Sequence, residues 1–212
     1  LAQVVFERLL ADFPETRVVL LVRSQTGASS RDRVEYLFRK PAFDTLRARV
    51  GEDGLKAMLD ERVEVIDRDF GRGQPEVPAG IDIAMHSAAT VSFDPPIDEG
   101  FMTNLQGAMN LYGGVIAGGS TPALVHVSTA YVAGVQKGVI PEGPLEHRVD
   151  YMLELELAMA ARKDVEAASR KPEMLNAFMD LAGDEHSRAG PTTVADDAEE
   201  RRQKWVTKRL VE

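Results

Sequence analysis

The sequence predicts an α/β fold, in which short apolar strands lie parallel and alternate with helices. Three observations carry that reading. Four short runs, Arg17–Val22, Val63–Ile66, Ile81–His86 and Leu124–Val127, are β-branched or aliphatic and too short for buried helices. The stretches between the first runs and before the last carry helical periodicity. The last two runs end alike, on Ser87-Ala88-Ala89-Thr90 and on Ser128-Thr129-Ala130. In an open parallel sheet, ligands sit beyond the carboxyl ends of the strands, so hydroxyls there face chemistry. Ser and Thr also end strands simply by satisfying nearby backbone groups.

Taken in order, Leu1–Asp12 reads as an amphipathic helix, with Leu1, Val4, Val5, Leu9, Leu10 and Phe13 at helical spacing and Pro14 at its exit. Arg17–Val22 reads as a buried strand that finishes at Arg23-Ser24. Ser30–Val50 is helical with Val34, Leu37, Phe38 and Leu46 inward. Ser29-Ser30 offers an N-cap and Pro41 a break. A short helix near Asp53–Asp60 precedes the strand Val63–Ile66, which runs into Asp67-Arg68-Asp69-Phe70. Gly71–Gly80 reads as loop. Ile97 to about Gly118 is helical. There Asn104 needs a reason, because a mid-helix Asn side chain competes for the backbone. Leu124–Val127 reads as a buried strand. Val135–Asp150 is irregular, and two or three charged helices follow, near 151–168, 172–183 and 194–212, their charges read as a solvated face. Glu200 and Lys204 are spaced for an i,i+4 pair.

Composition excludes several classes. The 212 residues suit one domain of ordinary size. A formal charge of −9 argues against nucleic-acid binding, which needs clustered Lys and Arg. No run of ~18 apolar residues reads as a membrane span, and no signal peptide is visible. Without cysteine there is no disulfide, thiolate nucleophile or cysteine metal site. This fits a cytoplasmic enzyme. Because helical periodicity begins at Leu1, which is not an initiator Met, and persists to Glu212, the chain reads as a fragment cut at both ends.

Several motifs tempt without context. The four histidines have no metal-binding spacing, and His86 and His126 read as packed or hydrogen-bonded within strands. Gly51-Glu52-Asp53-Gly54 mimics a dinucleotide loop but follows a helix. Gly113-Gly114 and Gly118-Gly119 read as a helix end. Tyr36 and Lys40 match a Tyr-x-x-x-Lys spacing. There the lysine charge would lower the phenol pKa, but the pair precedes the second strand and reads as a decoy.

His86-Ser87-Ala88-Ala89, then Asn104 with Gly107, then His126-Val127-Ser128-Thr129-Ala130-Tyr131-Val132 together resemble the extended short-chain dehydrogenase/reductases. The nearest branch is the fatty acyl-CoA reductase and thioester reductase group, also called male-sterility-like. The resemblance covers 1 to about 145. It implies an incomplete NADP-binding Rossmann domain over 1–145, lacking the first strand and glycine-rich loop. A helical insertion over 146–212 would lead to a Tyr-x-x-x-Lys helix outside the chain. It further implies NADPH-dependent reduction of a fatty acyl-CoA or acyl carrier protein thioester to aldehyde or alcohol, with the fragment inactive alone. Thr129 would hydrogen-bond the carbonyl or oxyanion, with Ser128 beside it and Asn104 holding a water. Arg23 and Ser24 would meet the 2′-phosphate of NADP(H), because Arg at the end of the second strand of a dinucleotide fold accommodates that group. Asp69 and Phe70 would meet the adenine, and Ser87, Ala88, Ala89 and Thr90 the ribose and nicotinamide. The alternatives are another extended member, of nucleotide-sugar epimerase or dehydratase type, or a non-catalytic NADP-binding regulator.

Overall fold

The structure is a computed structural model that describes residues 1–69, 73–92, 95–143, 148–186 and 190–211. Chain contacts divide it into two units, Leu1–Ser87 with Gly107–Thr129, and Ala88–Gln106 with Ala130–Glu212. The boundaries fall at the ends of the third and fourth strands and inside one helical run.

The first unit opens with helix α1 (Ala2–Asp12), strand β1 (Val18–Val22), helix α2 (Ser30–Leu37) and helix α3 (Asp44–Arg62). Ser29 caps α2. Its hydroxyl accepts from the Asp32 N–H at 3.1 Å, and the Asp32 carboxylate accepts from the Ser29 N–H at 3.0 Å. Pro41 stops the helix as expected, at a single 3₁₀ turn, Pro41–Phe43. Gly51 takes φ 73°, which kinks α3 where the sequence suggests two helices. Phe6, Leu10, Val34, Phe38, Phe43, Leu46, Leu55 and Leu59 form the core. The Phe6, Phe38 and Phe43 rings meet at centroid distances of 5.0–6.1 Å. The expected face of α1 is shifted: Phe6 and Leu10 are buried, whereas Leu1, Val4 and Phe13 are exposed. Arg62 closes the end of α1. Its guanidinium donates to the carbonyls of Leu10 (3.0 Å), Phe13 (2.7 Å) and Thr16 (3.2 Å), tying the last turn of α1, where Leu10 has no helical partner, to the segment that follows.

Strand β2 (Val63–Asp67) pairs in parallel with β1, from Val18↔Val63 to Val22↔Asp67. Strand β3 (Ile83–His86) pairs in parallel with β4 (Ala123–His126), from Ile83↔Ala123 to His86↔His126. Parallel pairing is as predicted, but among the described residues it forms two separate two-stranded sheets. Leu21 of β1 packs on Ala84, Leu111 and Val115 without joining the ladders. This limits burial. β1, predicted buried, is only half-buried, and all four residues of β4 are exposed, Leu124 by 49%. Among the described residues β4 pairs with β3 alone, and the apolar cluster includes Ala84 of β3 but no residue of β4.

The run predicted as one helix from Ile97 is α4 (Ile97–Gly100), a π-helical turn (Phe101–Gln106) and α5 (Gly107–Ala117). α5 belongs to the first unit. Gly113 and Gly114 lie inside it, not at its end. A Cβ on Gly114 would come 2.4 Å from the Pro75 carbonyl oxygen, so the glycine lets the 74–77 segment lie directly on the helix. Gly119, with φ 80°, is the helix stop.

In the second unit, α6 (Tyr151–Ser169), α7 (Pro172–Glu185) and α8 (Pro191–Val211) pack together with Phe178, Ala182 and Ala198 buried. Asp150 caps α6 by accepting from the Met152 and Leu153 N–H groups. Arg162 on α6 grips Asp98 of α4 through two contacts, at 2.8 and 3.1 Å. Glu200 and Lys204 pair at 2.6 Å as spaced. The expectation that these helices carry only solvated charge fails at Arg202. Its side chain is 1% exposed and meets Glu166, Glu199 and Ser169 at 2.7–2.8 Å. A buried guanidinium needs such partners. Arg202 in turn holds the Glu199 carboxyl down to about 2.

Candidate functional site

At the carboxyl ends of β1 and β2 a cleft of about 350 Å³ is lined by Arg23, Ser24, Asp67, Arg68 and Asp69. The first pair follows from β1 ending at Val22, and Asp67 is the last residue of β2 in register with it. The Asp67 carboxylate accepts from the Ser24 N–H at 2.9 Å, which ties the two strand ends together. Arg33 of α2 donates to the Arg23 carbonyl. The Arg23 guanidinium stands 3.9 Å from the Asp69 carboxylate, with both side chains open to solvent, 62% and 36% exposed. Arg68 donates from Nη2 to the Gln74 carbonyl at 3.0 Å, holding the next loop. Thus Arg23, Ser24 and Asp69 line one cleft, and Asp67 and Arg68 join them. Reading the second strand one residue longer, with its terminal acid, would have found Asp67. Phe70 lies outside the described residues.

The parallel register of β3 and β4 sends Ser87 and Ser128-Thr129 out of the same end of that strand pair. The Val127 N–H still donates to the His86 carbonyl at 2.9 Å, so the pairing runs one residue past the end of β4. Ser128 and Thr129 are exposed and Ser87 is half-buried. Just behind them the histidines read as packing residues are stacked. The His86 and His126 rings lie 5.4 Å apart at 7°, and the Tyr112 hydroxyl sits 2.9 Å from His126 Nδ1. Burial, and then the facing His126, lower the His86 pKa below its ordinary 6.5. Burial likewise raises the Tyr112 phenol.

Ala88, Ala89, Thr90 and Asn104 belong to the second unit. Ala88 and Ala89 are exposed. Asn104 has its reason there: its Oδ1 accepts from the Thr90 N–H at 2.8 Å. It does so from the π-helical turn Phe101–Gln106, a distortion that re-aims side chains and recurs at functional sites. The decoy pair stays on the surface, Lys40 Nζ 3.3 Å from the Tyr36 hydroxyl and Tyr36 54% exposed. No group of three metal-ligating side chains occurs among the described residues. No helix among them is long and apolar enough to cross a membrane.

The strand-end cleft presents the Arg23 guanidinium beside the Asp67 and Asp69 carboxylates. The chain is 35% identical over 156 residues to "Probable fatty acyl-CoA reductase 5" of Arabidopsis thaliana, covering 68% of this chain and 31% of that protein. It is 30% identical over 209 residues to "Fatty acyl-CoA reductase 8" of the same plant, covering 89% and 42%. It is 27% identical over 207 residues to "Alcohol-forming fatty acyl-CoA reductase" of Simmondsia chinensis, again covering 89% and 42%. The chain therefore spans less than half the length of these relatives. The NAD-binding family described as male sterility protein matches residues 1–169, and to that nicotinamide-cofactor family the chain belongs.

Proposed function

We propose that the chain is the cofactor-binding part of an NADPH-dependent reductase of fatty acyl thioesters, carried on CoA or an acyl carrier protein. The parallel β3–β4 pair carries this reading, because its register delivers Ser87 and Ser128-Thr129 to one end. A bound nicotinamide would supply the hydride. Arg23 holds a 2′-phosphate, and Ser24 and Asp69 shape the adenosine cleft. Ser87, Ala88, Ala89 and Thr90 follow the ribose and nicotinamide. Thr129 donates its hydroxyl to the thioester carbonyl as negative charge develops on oxygen, with Ser128 supporting it. Asn104 fixes the Thr90 backbone and holds a water for proton delivery. In this assignment 1–145 is the cofactor domain and 146–212 the helical insertion, and aldehyde or alcohol is the product, made in the cytoplasm.

Two substitutions in the full-length enzyme test the assignment. Arg23→Ala should weaken NADPH at least about tenfold while sparing NADH, since a charge-assisted phosphate contact contributes about 1.5–3 kcal/mol. Equal losses for both cofactors would sink the phosphate role. Thr129→Val should lower turnover about 10²-fold with NADPH affinity unchanged, because the hydroxyl acts on charge present only in the transition state. Full activity in that variant would remove Thr129 from the mechanism.

A further inference from the structure

We propose that Tyr112 is a positioning residue for the strand-end hydroxyls, holding His126 by a hydrogen bond to Nδ1 so that the end of β4 stays closed on β3 behind Ser128-Thr129. The consequence for reduction rests on the proposed role of Thr129. The apolar cluster under β3 includes no residue of β4, and all four residues of β4 are exposed. Burial therefore does little to fix this strand. Ala123, Leu124 and Val125 have no polar side chain, which leaves His126 to tie β4 to its surroundings beyond the ladder. Two contacts do so. The parallel register sets His86 against His126, and their rings stack at 5.4 Å and 7°. The Tyr112 ring packs on the cluster of Ala84, Leu111 and Val115, and its hydroxyl lies 2.9 Å from His126 Nδ1. Tyr112 thus joins the cluster to the strand that the cluster does not include. Burial raises the phenol above its ordinary 10, so at neutral pH the hydroxyl keeps its proton to donate. A neutral imidazole that accepts at Nδ1 carries its hydrogen at Nε2, so Tyr112 selects the tautomer as well as the place of the ring. The last bond of the pairing, from the Val127 N–H to the His86 carbonyl at 2.9 Å, follows directly. Ser128 and Thr129 come next in the chain, so an end of β4 that opens carries both hydroxyls away from the end of β3.

The experiment uses this chain and reads its histidine-ring nitrogens and backbone amide exchange by magnetic resonance. In its neutral form His126 should show an unprotonated Nδ1 and a protonated Nε2. Tyr112→Phe keeps the packed ring and removes the donor. The Nδ1 signal should then shift toward that of an imidazole exchanging between tautomers. The Val127 amide should exchange about two- to tenfold faster, the scale of one net hydrogen bond, while amides of β1 and β2 keep their rates. His126→Asn and His126→Leu share a shape, but only the first keeps an acceptor in the place of Nδ1. The Asn variant should protect Val127 better than the Leu variant, and that difference should vanish when Tyr112→Phe is added. A protonated Nδ1 in neutral His126 of the unmodified chain, or an unchanged Val127 rate in Tyr112→Phe, would overturn the inference. Equal acceleration throughout the first unit would also overturn it, by making Tyr112 a core residue only. In the full-length enzyme Tyr112→Phe should lower turnover about three- to tenfold with NADPH affinity unchanged, since a displaced hydroxyl costs rate rather than cofactor binding. Full turnover in Tyr112→Phe beside an impaired Thr129→Val would overturn the inference alone. Full turnover in both would overturn the reading of Thr129, and the inference with it.

Discussion

His86 shows how a single buried residue links the strand ends to pH. Its ring is 3% exposed, stacked on His126 and edge-on to Tyr112, so a proton placed there loses solvation and meets a second imidazole. Burial is the larger cause of its lowered pKa and His126 the smaller. The unfolded chain therefore binds this proton more readily than the folded one. Stability attached to His86 is present above pH 6.5 and is lost as pH falls from there toward the lower folded value. Resonances of the His86 ring should titrate below 6.5, and His126→Gln should move the midpoint upward by removing the smaller cause. A midpoint at or above 6.5 in the unmodified chain would mean the ring is not desolvated. Residues of this kind were legible only as a type: the strand pattern made both histidines packing residues, but their stacking depends on the β3–β4 register. Arg62 was not legible at all, and of Arg202 only the nearby Glu199 could have been read, because the Arg62 partners and the Glu166 and Ser169 partners of Arg202 lie more than thirty residues away in sequence.

Local signals translated well into elements, and signals with two meanings did not. The Ser29 cap and the Pro41 stop depend on a few adjacent residues, and each stands where the sequence puts it. A glycine pair has two meanings, since it can end a helix or let another segment approach it closely. Gly113-Gly114 has the second meaning, which only the 74–77 segment reveals. Substitution separates the two. Alanine inside a helix gains roughly 1 kcal/mol over glycine when nothing else changes. At Gly114 the added Cβ would stand 2.4 Å from the Pro75 carbonyl oxygen and 2.8 Å from its ring, backbone and ring atoms with little freedom to move. Gly114→Ala should thus cost about 1–3 kcal/mol in urea unfolding, the usual range for overpacking. At Gly113 the obstacle is the flexible end of Gln74, so Gly113→Ala should be much milder. Equal effects would mean that α5 does not bear on the Pro75 backbone. Burial of β1 and β4 was misread for a related reason: an apolar run states a preference for burial, and its neighbours decide whether that preference is met.

At the scale of the whole first unit, the strand pairs carry a consequence for cofactor binding. The doubly wound dinucleotide fold has strand order 3-2-1-4-5-6. The ladders here match two of its adjacent pairs, β2 with β1 and β4 with β3, and among the described residues no ladder joins β1 to β3. In that fold a dinucleotide lies across the strand ends, its adenosine at one pair and its nicotinamide at the other, with the pyrophosphate held by backbone N–H groups between them. The cleft at Arg23, proposed for the adenosine, and the hydroxyls at Ser128-Thr129 therefore lie on pairs that, among the described residues, share apolar packing through Leu21 but no hydrogen-bonded sheet. Such packing permits sliding, because apolar contact is non-directional while a ladder fixes register. The two half-sites should consequently bind their ends of the cofactor independently. Calorimetric titration of this chain should give weak, similar affinities for NADPH and adenosine 2′,5′-bisphosphate, with no gain from linking the nicotinamide half. The chain should also reduce no acyl thioester. A low-micromolar 1:1 isotherm for NADPH, well tighter than for the bisphosphate, would show that these strand pairs already hold both halves in register.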